Sequence, residues 1–117
     1  PVLAGPRTLV LRRTAGTTAV VATFALAVAA NQDATVYAVG GAGGSAITAL
    51  TTEDANTPPA AGTARVRVVH LSPTAGPVDV FVTAPGADLA AATPTLAGAG
   101  FRGASGYLAV PGGTYQV

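Results

Sequence analysis

Hydrophobic residues recur along this chain in short runs with a two-residue period, cut apart by glycine, proline and asparagine. In residues 78–83 (VDVFVT) every even position is valine, so one face is apolar while Asp79, Phe81 and Thr83 share the other. Residues 65–71 place Val66, Val68 and His70 on one face, with Arg65, Arg67, Val69 and Leu71 opposite. The pattern predicts strands over 7–13, 18–29, 34–39, 45–51, 64–71, 78–83, 104–110 and 114–117. Residues 14–17, 31–33, 40–44 and 111–113 read as turns, and 72–77 as a connection. Residues 84–100 read as a Pro/Gly/Ala-rich loop. Short strands at this spacing predict an all-β, antiparallel sandwich.

One stretch breaks the pattern. Residues 53–63 are polar, carry two prolines and lack periodicity, which marks a linker between 1–52 and 64–117. The two parts together amount to one ordinary domain at 117 residues.

Composition narrows the class. Half the residues are hydrophobic and 9% are charged, which excludes an intrinsically disordered chain. Six scattered arginines against five acids, with no lysine, build no nucleic-acid surface. Without cysteine there is no disulfide framework and no thiolate metal site. The longest apolar run, 19–30, is broken by Thr23 and is shorter than the roughly 20 residues a membrane-spanning helix needs. Arg12 and Arg13 ahead of that run, with Ala27-Val28-Ala29 near its end, also fit a secretory signal with its cleavage site. A long strand is the preferred reading.

Candidate chemistry is sparse. His70, Ser72 and Asp79 supply the residue types of a nucleophilic triad. No strand-turn-helix elbow presents Ser72, however, and the chain has one histidine. A structural hydrogen-bond cluster fits better, with His70 and Ser72 capping the turn opened by Pro73 and Asp79 bonding loop backbone. Gly40 to Gly44 lack the lysine of a phosphate loop. Glu53, Asp54 and Asn56 lack the calcium-loop spacing. No tryptophan is present to form a sugar platform, and Tyr107 and Tyr115 fall inside expected strands. The expectation is therefore a protein that is not an enzyme and needs no cofactor or metal.

Three segments carry a family resemblance: Arg65-Val66-Arg67-Val68-Val69-His70-Leu71-Ser72-Pro73, then Gly76-Pro77-Val78-Asp79-Val80-Phe81-Val82, then Ser105-Gly106-Tyr107 on to Val117. In order and spacing they resemble DUF4397, a family of bacterial secreted and cell-surface domains without assigned activity. Residues 7–52 resemble the later half of such a domain more loosely. The resemblance implies an immunoglobulin-like β-sandwich and an extracellular or cell-surface location, and transfers no chemistry.

Thr8, Leu9, Val10 and Leu11 can be laid on Thr114, Tyr115, Gln116 and Val117. Residues 1–52 then read as the end of one module and 64–117 as the start of the next. A strand cut at Val117 would leave backbone groups unpaired at a sheet edge. The expectation that follows is a structural subunit whose Thr8–Leu11 strand completes the Thr114–Val117 strand of another copy, either a separate subunit or the next module of a continuous tandem chain. Head-to-tail contacts of that kind build an extracellular fibre or surface filament. The rival expectation is a monomeric adhesin that recognises a glycan or protein through residues 84–103.

Overall fold

The computed structural model describes residues 2–14 and 19–117. Of the turn expected at 14–17, residues 15–17 lie outside the described residues. The chain divides into two compact units, Pro1–Asn56 and Thr57–Val117. The fold is all-β: among the described residues there is no α-helix, and each sheet is an antiparallel pair of strands.

The first unit is two consecutive hairpins. Strand β1 (Gly5–Arg12) pairs with β2 (Val20–Val28), and β3 (Asp33–Val39) pairs with β4 (Thr48–Asp54). Alternation sets which face is covered. Gly5, Arg7, Leu9 and Leu11 stand opposite Val28, Leu26, Phe24 and Ala22, and Phe24 is buried at their centre. The other face carries Pro6, Thr8, Val10 and Arg12 against Ala27, Ala25, Thr23 and Val20, all exposed. Val21 is the extra residue where the register slips between Leu11 and Arg12. In the second hairpin Val39 and Thr52 are buried on one face, shared with Thr35, Tyr37 and Leu50.

The turns explain themselves. Asn31 takes the left-handed conformation (φ 57°) between β2 and β3, which a short polar side chain tolerates. Gly40 sits at φ 113°, and a Cβ there would fall 2.3 Å from the Ala46 carbonyl oxygen. Only glycine fits that turn. A single 3-10 turn, Ala42–Gly44, fills the connection, with Ser45 Oγ donating to the Ala42 carbonyl.

The second unit is nested rather than consecutive. Its outer pair is β5 (Thr63–Val66) with β8 (Leu108–Pro111), and its inner pair is β6 (Val78–Val80) with β7 (Leu96–Ala99). Beyond β5 the outer ladder resumes: Val69 bridges Ala104, and His70 exchanges backbone bonds with Gly103 and Arg102 at 2.9 and 2.8 Å. The single strand expected over 64–71 is thus two short pieces on one path. Strand β7 lies inside the stretch expected to be loop. Leu96-Ala97-Gly98-Ala99 has one large apolar residue, so no alternation announces it.

Strand β4 runs through Glu53 and Asp54, the first two residues of the expected linker, and β5 begins at Thr63, its last. Phe24, Val39, Thr52 and His70 are the buried residues among those described, at 3–8% exposure. The core is shallow in both units.

Candidate assembly surface

The motif residues of the second unit come first. Gly98 has φ 62° and lies where two residues of β7 oppose Asp79 of β6, a bulge that leaves an amide without a ladder partner. The Asp79 carboxylate accepts that Gly98 N–H at 2.7 Å. Asp79 therefore closes a bulge. His70 is 8% exposed, and its Nδ1 has no hydrogen-bond partner. In a Ser-His-Asp relay an acid would hold that nitrogen. Here Asp79 is engaged with backbone, so the three residues are not assembled as a relay. His70 is held through its backbone rather than as a side-chain cap. Ser72 is exposed and Pro73 half-buried, at the start of the bend over 73–75.

Other polar side chains stitch this unit in the same way. Ser105 Oγ accepts from the Val68 amide at 3.0 Å while the Ser105 amide donates to the Val68 carbonyl at 2.9 Å. Thr95 does likewise: its amide donates to the Val80 carbonyl, and its hydroxyl accepts from the Val82 amide. The Arg65 and Arg67 guanidiniums lie 4.7 and 4.8 Å from the centre of the Tyr107 ring, in cation–π range. None of these arrangements converges on a cavity with reactive groups. Among the described residues no three His, Cys, Asp or Glu side chains group to hold a metal ion.

What the molecule does present is open backbone. Because each described sheet is a pair, every strand has one side without a ladder partner. Such edges are templates for another chain. β1 offers a short neutral stretch bounded by charge: Thr8, Leu9, Val10 and Leu11 have full backbone donors and are flanked by Pro6 and Arg7 on one side and Arg12 and Arg13 on the other. On its other side β1 is taken, with Thr8 opposite Ala25, Leu9 opposite Phe24, Val10 opposite Thr23 and Leu11 opposite Ala22. Thr8–Leu11 is therefore one half of a hairpin already, with a single edge to offer.

The other expected contact, Thr114, Tyr115, Gln116 and Val117, is also partly engaged. Gln116 exchanges both backbone bonds with Thr83 at 2.9 and 3.0 Å, and its side chain accepts from the Gly86 amide. Tyr115 donates its hydroxyl to the Pro111 carbonyl, and Val117 is 87% exposed. The segment makes one bridge among the described residues and does not form a strand. Large apolar side chains left in solvent include Val2, Leu3, Leu9, Val10, Val20 and Val21 in the first unit. The chain exposes 7743 Å².

These features define an all-β chain of paired strands whose accessible chemistry is backbone edge and apolar surface. Residues 1–81 match the sequence profile of a domain of unknown function, DUF4397, and the chain belongs to that family. The match covers the whole first unit and continues through β6, leaving β7, β8 and the Tyr107 segment outside it. No curated protein and no solved structure matches the chain.

Proposed function

We propose that the chain is a structural subunit of an extracellular fibre or surface filament, with copies of itself as partners. Copies join by β-strand pairing at their open edges, and through such pairing the two-stranded ribbons complete immunoglobulin-like sandwich sheets. The observation that carries this reading is that every described strand lies at a sheet edge. A two-stranded ribbon is marginal alone, whereas three or more strands sharing an apolar face stand independently. The segments assigned to the contact are Thr8–Leu11, which is open on one side, and Thr114–Val117, which is bridged at Gln116 alone.

The absence of cysteine and methionine leaves no easily oxidised side chain, which suits a durable external material. The low charge fits a surface that neighbours cover. Negative-stain microscopy of the purified chain, with and without residues 1–13, tests the reading. Threads from the full chain and none from the truncated one are expected. Separate particles from the full chain at high concentration overturn it and favour the adhesin. Long fibres from the truncated chain would show that β1 takes no part.

A further inference from the structure

We propose that the β1 edge pairs with the β1 edge of a second copy, antiparallel, with Leu9 facing the partner's Leu9 on a two-fold axis. This rests on the reading of the chain as a self-associating subunit; because β1 has a single open edge, the joint replaces a pairing of Thr8–Leu11 with Thr114–Val117 and leaves Thr114–Val117 to a separate contact.

The argument begins with symmetry. β2 already occupies one side of β1, so two copies meeting through β1 must bring the same edge together. Two identical edges facing each other are related by a two-fold axis. When the strands run antiparallel the axis is perpendicular to the sheet, so like faces of the two copies lie on the same side. Residues directly opposite one another share a face, because side chains alternate with period two. The axis must therefore pass through a residue that faces its own counterpart. A parallel arrangement fails the same test, since a two-fold along the strands would turn each residue to the opposite face from its counterpart.

Four centres fall in the neutral stretch, and the flanking residues choose among them. An axis at Val10 sets Arg7 opposite the partner's Arg13, twice by symmetry, and like charges directly opposite are destabilising. An axis at Thr8 requires Gly5 in the ladder opposite the partner's Leu11. Gly5 has φ 119°, outside the extended range, and Pro6 would stand inside the ladder without an N–H to give. An axis at Leu11 shortens the overlap and sets Leu9 opposite the partner's Arg13. With Leu9 on the axis, Thr8 faces the partner's Val10, Arg7 faces the partner's Leu11, and Pro6 meets the partner's Arg12 only at the ladder's end. No cation stands opposite a cation.

Exposure points to the same residue. On the covered face of β1–β2, Gly5, Arg7 and Leu11 are half-buried and Phe24 is 8% exposed, while Leu9, directly opposite Phe24, remains 41% exposed. In the two-fold pair the partner's Leu9 lies beside this exposed side chain. An apolar row then runs from Phe24 through both Leu9 side chains to the partner's Phe24, across one four-stranded sheet.

The contact is small. β1 offers eight residues, against the about 20–30 residues a side of a stable interface between free proteins. The joint is thus weak on its own and effective where copies are held close. A two-fold joint closes on itself, so a fibre needs a second joint, for which Thr114–Val117, bridged at Gln116 alone among the described residues, is the remaining assigned segment.

The natural chain has no cysteine, which makes single substitutions clean probes. Thr8→Cys, Leu9→Cys, Val10→Cys and Leu11→Cys are oxidised at equal concentration, and dimer is read on non-reducing gels. Leu9→Cys is expected to give several-fold more dimer than the other three. A mixture of Thr8→Cys with Val10→Cys should cross-link more than either alone. Spin labels on the same cysteines, kept reduced until labelling, should show the shortest distance at residue 9. A maximum at residue 10, or no maximum while the wild-type chain sediments as oligomers, overturns the two-fold joint and leaves the fibre reading standing. A wild-type chain that sediments as monomer at every concentration overturns both.

Discussion

The two units solve the problem of holding a strand pair together by different means. The first uses long ribbons: the eight residues of β1 lie along β2 and seven residues of β3 along β4, with register kept by alternation and, between β3 and β4, by a turn that only Gly40 readily makes. The second uses strands of three or four residues, each too short to hold register by alternation. There Asp79, Thr95, Ser105 and Gln116 reach across to backbone amides and pin the ladder residue by residue. In one unit stability is spread over apolar contacts; in the other it rests on a few polar ones. Disturbances should therefore act through different kinds of residue in the two halves.

The sharpest break is Phe24→Ala. Phe24 is the largest buried side chain of the first unit, and losing a buried phenylalanine costs about 3–5 kcal/mol. Hydrogen exchange should rise throughout β1 and β2, while amides of β5 and β8 keep their protection. Equal loss in both units would mean that they unfold together. Next comes Gly40→Ala, whose added methyl meets the Ala46 carbonyl at a backbone angle that L-residues avoid. Strain of this kind costs roughly 1–3 kcal/mol, and it should appear as a lower melting temperature with β3–β4 exchanging first. The smallest effect is expected from Asp79→Ala, which strips the Gly98 amide of its acceptor at an exposed bulge and costs roughly 1 kcal/mol. Asp79→Asn keeps an acceptor oxygen and should recover most of the loss, with the change confined to β6 and β7. If Asp79→Ala disturbed β1–β2 instead, the division of labour between the units would be wrong.

The same contrast governs how much was legible in the sequence. All four strands of the first unit stand where alternation puts them, within three residues at each end, because their covered faces carry Leu11, Leu26, Phe24, Tyr37 and Val39 at the required spacing. In the second unit alternation misleads. Residues 64–71 look like one strand but break after Val66, and 114–117 reduce to a bridge at Gln116. β7 is invisible because its position is set by Asp79 accepting its Gly98 amide and by Thr95, just before it, bonding Val80 and Val82, rather than by its own side chains. Asp79 as a backbone ligand was readable from its place in a loop-flanked motif. The burial of His70 with an unpartnered Nδ1 was not, since it depends on Arg102 and Gly103 closing over its backbone from a distant segment. The open edge of β1 was readable as a neutral run between arginines; that β2 already fills its other side is a fact of pairing that no single strand announces.

The two guanidiniums over Tyr107 have an optical consequence. The protein contains three tyrosines and no tryptophan, so its near-ultraviolet spectrum belongs to tyrosine, with phenylalanine adding little. One of those chromophores sits beside two cations at 4.7 and 4.8 Å, next to the β5–β8 pair. The dichroism of that ring is a built-in gauge of whether the second unit keeps its shape while the first is being altered.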